Sequence, residues 1–541
     1  MQENTKRNIL KGLMLATAVL AGVSIGRIIE HHKQGSIIKS QVQFVPQMGA
    51  DKLSQTIGLV SAMYVDPISV DSLVEMAIPV LMEELDPHSV YIPSHEMQQA
   101  NENIEGEFEG IGVVFNMGTD TIVVMNVVPK GPSDKVGIQS GDRIITIEDS
   151  LVAGRKIPQD KIVKTLRGKR GTKVKLGILR RGADELIPFT VKRDKIPLNS
   201  VDAAFMLTDD IAFVRLSSFA KTSYEEMIKA LAELKAQGMT KLIFDLRDNG
   251  GGLLDQAIYI AEMFLPNGKL VVYTEDRAGN RIEEHSRRDG QYSDLEIAIL
   301  INESSASASE ILAGAVQDND RGTVIGRRSF GKALVQRQIP YPDGSALRLT
   351  IARYYTPTGR SIQKPYNKGE QEEYDMDIYN RFMHSELFNV DSIKLVDSLK
   401  YYTPEGKVVY GGGGIMPDIF VPLDTTSVTA FYREVIAKNI LYRYTMEYTD
   451  RNRAKLSKVK NVGELNRILD ADPTLVDGLM EYARKQGVGK GHTPDQKEYQ
   501  LLLAQIRAYI GRNSTFDYSG YYSNIYTIDS TMLKAVEVLE N

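Results

Sequence analysis

The sequence predicts an α/β protein preceded by a smaller β-rich unit, with helical segments at both ends. Three observations predict it. Between residues 201 and 422, apolar runs of strand length alternate with amphipathic helical stretches, the order that gives parallel pairing. Between 105 and 197, short β-branched runs alternate with glycine turns. Before residue 97 and again after Pro422, apolar residues fall at helical spacing.

A chain of 541 residues is too long for one ordinary core and implies two to four domains. Its 42% hydrophobic and 25% charged residues are those of a globular protein, and a net charge of −5 without an acidic or basic tail gives no ground for nucleic acid as a partner. There is no cysteine, which excludes a thiolate nucleophile, a Cys–zinc site and any disulfide. The 7 histidines include no H-x-x-x-H pair, so the short helical zinc signature is missing and neither metal nor cofactor is expected.

Taken in order, Lys6, Arg7 and Lys11 precede an apolar stretch at 13–26 closed by Arg27, the layout of a secretory signal. Ala16, Ala18 and Ala21 lie inside the run rather than at a clean cleavage site, and Ile28 and Ile29 follow. Residues 1–32 are therefore expected to stay as a membrane anchor, with 33–50 as a tether and the rest outside the cytoplasm. In 51–104, Leu53, Ile57 and Val60, then Leu73, Met76, Ala77, Val80 and Leu81, mark two short helices punctuated by Asp66-Pro67 and Asp86-Pro87.

Residues 105–197 read as strands at 110–115, 121–128, 143–148 and 172–179, with a short helix in the block 131–137. Residues 198–422 give strands at 211–216, 241–246, 296–301 and 323–325. Helices are expected at 223–237, from the glycines 250–252 through Phe264, and from Ser307 to about Gln317. The polar stretch 364–407 reads as a surface excursion. In 423–541 three stripes appear, around Phe431–Tyr442, Leu465–Leu469 and Leu501–Tyr509. They carry no chemical motif and read as a packing or assembly region.

Three segments carry chemistry, each at the end of an expected strand. In Asn302-Glu303-Ser304-Ser305-Ala306-Ser307-Ala308-Ser309-Glu310, a serine at a strand-to-helix turn is presented at the carboxyl end of a sheet, where helix amides stabilise negative charge. Alone, these serines read more readily as helix caps than as a nucleophile. In Ser329-Phe330-Gly331-Lys332, the lysine lies among small and apolar residues, and burial lowers a lysine pKa until its amine can accept a serine proton. Asp245-Leu246-Arg247-Asp248-Asn249-Gly250-Gly251-Gly252 offers backbone amides for an oxyanion hole; a plain turn is the alternative, and a P-loop is excluded because no G-K-[ST] follows.

Together these segments resemble the carboxyl-terminal processing, or tail-specific, serine peptidases. In that family a lysine stands 25 positions after the serine of S-A-S-E, which selects Ser307 with Lys332 rather than Ser305 or Ser309. The resemblance implies that Gln336 orients the lysine, that Asp318 supports the site, and that Gly251 or Gly252 with Ala308 forms the oxyanion hole. Leu85-Asp86-Pro87-His88-Ser89, the stretch 352–363 and Gly413-Gly414-Ile415-Met416-Pro417-Asp418 match further family motifs, covering about 53–422. His88, a candidate base by residue type, takes a structural role under the same resemblance.

The implied fold is an α/β crotonase-like (ClpP/crotonase) core at 198–422 with a PDZ domain at 105–197. Gly110, Ile111, Gly112 and Val113 stand where PDZ domains hold a peptide carboxylate, and 132–144 resembles the following helix and turn. The expected partners are polypeptides recognised by their C-termini, the membrane through the anchor, and a homo-oligomer or adaptor through 423–541. The expected location is the bacterial cell envelope, with a periplasmic catalytic part on an inner-membrane anchor. A scaffold without proteolytic activity, binding tails through the PDZ domain alone, is the competing class.

Overall fold

The computed structural model describes residues 48–117 and 120–541. The expected anchor at 1–32 and nearly all of the tether lie outside the described residues. Among the described residues no helix is long and apolar enough to cross a membrane. The chain divides into two units, Met1–Ala77 and Ile78–Asn541. The first holds helix Met48–Met63 and the start of helix Val70–Glu83.

The second unit is built around a six-stranded sheet in the order Val201–Met206, Ile211–Leu216, Lys241–Asp245, Glu296–Ile301, Thr323–Gly326 and Ile419–Phe420. The first pair is antiparallel and every later pair parallel. Parallel strands covered on both faces read as unbroken apolar runs, which is why 241–246 and 296–301 stand out in the sequence. Ala212, Val214, Leu242, Phe244, Ile297 and Ile299 point to one face, packed against helices Ser223–Ala236, Leu254–Glu262 and Ala308–Asp318. The alternate residues Ile211, Phe213, Ile243, Ala298 and Leu300 point to the other, where Met532, Ala535 and Leu539 of the last helix, Ser530–Glu540, cover them.

An antiparallel sheet flanks this core. Val90–Ile92 and Leu334–Pro340 both pair with the long strand Ala346–Tyr355, which in turn pairs with Leu270–Asp276. The stretch 364–407 departs from the surface excursion expected of it. It folds into helices Gln371–Asp375 and Asp377–Met383 and buries Lys364, Tyr374 and Arg381. Arg381 donates to the carbonyls of Ser329 and Phe330, so this segment braces the lysine-bearing turn.

The β-rich domain is a sheet in the order Val113–Asn116, Ile122–Val127, Arg143–Ile147, Lys173–Leu179 and Ile187–Lys192, around Ile122, Val124, Ile144, Val174 and Ile178. Glu107–Gly110 pairs with Asp194–Pro197 as a stem that brings the ends of the domain together. Its opposite contact is with helix Ile440–Leu456, where Arg143 lies 3.8 Å from Asp450 and Arg181 donates to the Asp450 carbonyl. The C-terminal region is two structures. Helices from Ala430–Ala437 to Gln496–Arg512 enclose their own core, whereas Tyr518, Tyr522 and helix Ser530–Glu540 belong to the second face of the central sheet.

Candidate active site

Strand Glu296–Ile301 ends in a turn that delivers Ser307 to the first position before helix Ala308–Asp318. Ser307 holds φ 56° and ψ −113°, a region sparsely used by residues with a side chain and common at functional turns. The neighbouring serines are occupied. Ser305 and Ser309 are fully buried, and their hydroxyls donate to the carbonyls of Leu246 and Asn249, both at 2.8 Å. Among the described residues the Ser307 hydroxyl donates to no protein acceptor, so of these three serines it is the one free to give up its proton.

Lys332 follows the turn 329–331, partly buried beneath the antiparallel sheet. Burial pushes its ammonium below the ordinary lysine range; the Arg348 guanidinium pushes the same way, and Glu310 and Asp86 oppose it. Among the described residues its ammonium makes no ion pair, and it makes no direct hydrogen bond to Ser307. Catalytic hydrogen bonds are often long before substrate arrives.

The two segments are instead joined by fully buried Glu310. Its carboxylate accepts from the amides of Ser307 (2.8 Å), Gly331 (2.7 Å) and Lys332 (2.9 Å) and from the Ser329 hydroxyl. Burial raises this carboxyl to about 7 against those four donors. Tyr354 adds a second tie, its hydroxyl lying 3.1 Å from the Ser307 carbonyl and 2.6 Å from that of Lys332. The sequence alone gives neither residue a role. The signal for Glu310 was present, because a glutamate three residues after a capping serine is the mark of a capping box.

Among the described residues Gln336 makes no direct hydrogen bond to Lys332. A β-bulge between Val335 and Gln336 shifts the register, and the Gln336 amide donates to Thr350 Oγ1 at 3.2 Å rather than meeting Lys332. The Thr350 hydroxyl in turn donates a hydrogen bond to Asp86 Oδ1 at 3.0 Å, and Asp86 also accepts from the His88 and Ser89 amides. His88 packs edge-on to Tyr374 with Nε2 3.0 Å from its hydroxyl. Burial, with Lys332 next, pushes its imidazole down to about 4, leaving it neutral at pH 7.

The glycine loop meets the serine turn directly. A Cβ on Gly251, at φ +98°, would come within 2.8 Å of Ser307 Cβ and 2.9 Å of the Ala308 nitrogen, so only glycine fits there. The Gly251 amide is taken by Asn249 Oδ1 at 2.8 Å, which removes it from the expected oxyanion donors. Among the described residues the amides of Gly252 and Ala308 donate to no protein acceptor. Asp318 lies at the far end of the serine helix, completely buried, with Arg360 at 2.6 Å and the Thr358 hydroxyl donating to it at 2.7 Å.

In the β-rich domain, Gly112 takes φ 72°. The Ile111 and Gly112 carbonyls are bonded to Ser133 and Val128, while, among the described residues, the Ile111 and Gly112 amides donate to no protein acceptor. Gly110 closes the stem strand, and Val113 opens the strand that is terminal in the sheet order.

Residues 210–373 match the model for peptidase family S41, and 110–192 match the PDZ domain. The carboxy-terminal-processing protease of Bartonella bacilliformis is 38% identical over 296 residues, covering 54% of this chain and 67% of that protein. The chain belongs to peptidase family S41. It is a serine peptidase, a hydrolase, of the carboxy-terminal processing kind. The carboxy-terminal processing protease CtpA of Bacillus subtilis is 32% identical over 329 residues, 60% of this S41 peptidase and 70% of that one. A solved structure of the photosystem II D1 C-terminal processing protease aligns at 23% identity and a TM-score of 0.35, covering 70% and 94% of the two chains. The S41 match contains Ser307, Asp318, Lys332, Gln336 and the glycine loop, and leaves out Asp86 and His88. Residues 431–515 match a family of unknown function.

Proposed function

We propose that this S41 peptidase cuts proteins near their C-termini with a Ser307–Lys332 dyad on a crotonase-like core, its PDZ domain holding the substrate tail. The observation that carries this reading is the shared anchorage of the two segments on Glu310 and Tyr354, with Ser307 the uncommitted serine and Lys332 a partly buried lysine without an ion pair among the described residues. A neutral Lys332 amine takes the Ser307 proton as Oγ attacks the scissile carbonyl carbon. The oxyanion meets the Gly252 and Ala308 amides. Lys332 then protonates the leaving amine, the peptide bond breaks, and an acyl-serine remains. Water, losing its proton to Lys332, attacks the acyl carbon; the bond to Oγ breaks as Lys332 returns that proton to Ser307, which releases the second product and restores both residues.

A peptide adding to strand Val113–Asn116 would extend the open sheet edge and bring its carboxylate to the Ile111 and Gly112 amides. The basic flank and apolar run at 6–27 support a periplasmic catalytic part on an inner-membrane anchor, and the separate helical core at 430–512 supports an assembly or adaptor surface.

The test is digestion of an unfolded protein by the full chain in detergent, with products identified by mass spectrometry. Ser307→Ala and Lys332→Ala should each lower kcat by about 10⁴-fold or more with the melting temperature unchanged. Near-normal turnover by Ser307→Ala would remove the dyad.

A further inference from the structure

The strand that carries the glycine loop, Lys241–Asp245, is gripped at both ends by the extreme C-terminus of the chain. At its carboxyl end, Arg247 binds fully buried Asp245 through its amide, Nε and Nη2, and turns Nη1 onto both carboxylate oxygens of Asp529 at 2.8 and 3.0 Å. At its amino end, Lys241 Nζ donates to the Leu539 carbonyl at 2.6 Å. Between those points, helix Ser530–Glu540 lays Met532, Ala535 and Leu539 across the sheet, touching Ile243 of the same strand in one apolar cluster. Asp529 is the joint. Besides Arg247 it caps that helix, its Oδ1 accepting from the Thr531 and Met532 amides.

From Arg247 the path to the reacting atoms is short. Asp248 and Asn302 exchange hydrogen bonds at 2.9 and 2.7 Å, and the Asn249 carbonyl accepts from the Ala306 amide at 3.0 Å. Gly251 then abuts Ser307. The two-nitrogen fork on Asp245 fixes the direction of the guanidinium, and Nη1, shared between both oxygens of Asp529, ties that fork to the last helix, so Asp529 bears on where strand 241–245 ends and the glycine loop begins.

We propose that residues 517–541 form a clamp completing the active site from behind the sheet, with Asp529 a positioning residue that acts through Arg247 on the oxyanion side of the cleft. This rests on the glycine-loop role given above. It places a determinant of turnover outside both the S41 match at 210–373 and the helical match at 431–515.

Asp529→Ser and Asp529→Asn separate positioning from folding. Both keep a side-chain oxygen that caps a helix as well as aspartate does, and both remove the charge facing Arg247. In the full-length protein, kcat should fall about tenfold or more, because displaced oxyanion donors cost about 10²–10³ when lost outright. KM, measured where every variant is fully folded, should stay at the wild-type value, and the melting temperature should fall as Arg247 loses one of its two carboxylates. Binding of a peptide boronic acid, whose tetrahedral oxygen occupies the oxyanion site, should weaken by the same factor as kcat. Wild-type kcat in both variants overturns the clamp, and so does a deficit that vanishes on cooling in step with the folded fraction. A wild-type enzyme whose turnover survives Ser307→Ala sinks the dyad reading instead, so the two failures are distinct.

Discussion

As the proposed base, Lys332 has to lose a proton before it can act, and the charges around it decide at what pH it does so. Burial disfavours the ammonium first, Arg348 disfavours it next, and Glu310 and Asp86 favour it. Arg348 reaches Gln338 Oε1 at 3.0 Å across the antiparallel pair and is not bonded to either reacting residue, so it can be changed without dismantling the site. Removing its positive charge makes the ammonium easier to keep, which raises the Lys332 pKa. The neutral fraction at a given pH falls, and the acid limb of the kcat/KM profile moves to higher pH, while the plateau rate above it stays the same. Arg348→Gln, measured from pH 5 to 10 with chemistry rate-limiting, should show that displacement. A limb that stays in place or moves to lower pH would mean another group sets it. Much of this site is legible in the spacing of Ser307 and Lys332, whereas Arg348 and Tyr354 sit in a long strand whose residues face the lysine only after the sheet has formed.

At the scale of elements, the serine, lysine and glycine segments are all ends of parallel strands, and such strands announce themselves as apolar runs between glycine-rich turns. What escapes the sequence is whatever closes at long range. The stem Glu107–Gly110 with Asp194–Pro197 is four residues a side, charged but for Phe108 opposite Ile196 and the terminal Gly110 and Pro197, and Val90–Ile92 is three residues paired to a strand beginning at Ala346. Arg381 and Lys364 are charged, so a stretch that buries them reads as surface; their charges are met by Asp377 and, for Lys364, by the faces of Phe330 and Tyr374. The turn at Asp86 shows how much one such contact holds. Its carboxylate accepts from the His88 and Ser89 amides, the Ser89 hydroxyl and Thr350 Oγ1, and so fastens segment 86–92 to the strand that positions Gln336. Asp86→Ala leaves four donors seeking water in a buried turn and should destabilise the protein by about 2–4 kcal/mol. The same change removes a carboxylate that favours the Lys332 ammonium, so the acid limb of the kcat/KM profile should move to lower pH. Urea unfolding checks the first effect and steady-state kinetics at a denaturant-free, fully folded temperature the second; an unchanged midpoint would show that the turn is dispensable.

At the scale of the molecule, the PDZ domain is held at two places: its stem leads into the peptidase core, and Arg143 and Arg181 reach Asp450 on the helical region. Its edge strand Val113–Asn116 starts beside two amides without protein acceptors, a geometry suited to a terminal carboxylate. Hydrogen bonds to a charged acceptor contribute about 1.5–3 kcal/mol, so replacing a substrate's terminal carboxylate by an amide should raise KM by about ten- to a hundredfold. Whether the domain also acts on turnover is decided by removing it. The Leu198 amide donates to the Gly106 carbonyl at 2.8 Å, so a short linker joining those residues can replace 107–197 without stretching the core. If the domain only recruits, this deletion raises KM to the amidated-tail value and leaves kcat alone. If it also gates the cleft, kcat changes with it, and the carboxylate preference disappears in either case. Equal KM for free and amidated tails in the intact enzyme would show instead that the Ile111 and Gly112 amides hold no tail, and that substrates reach Ser307 by the cleft alone.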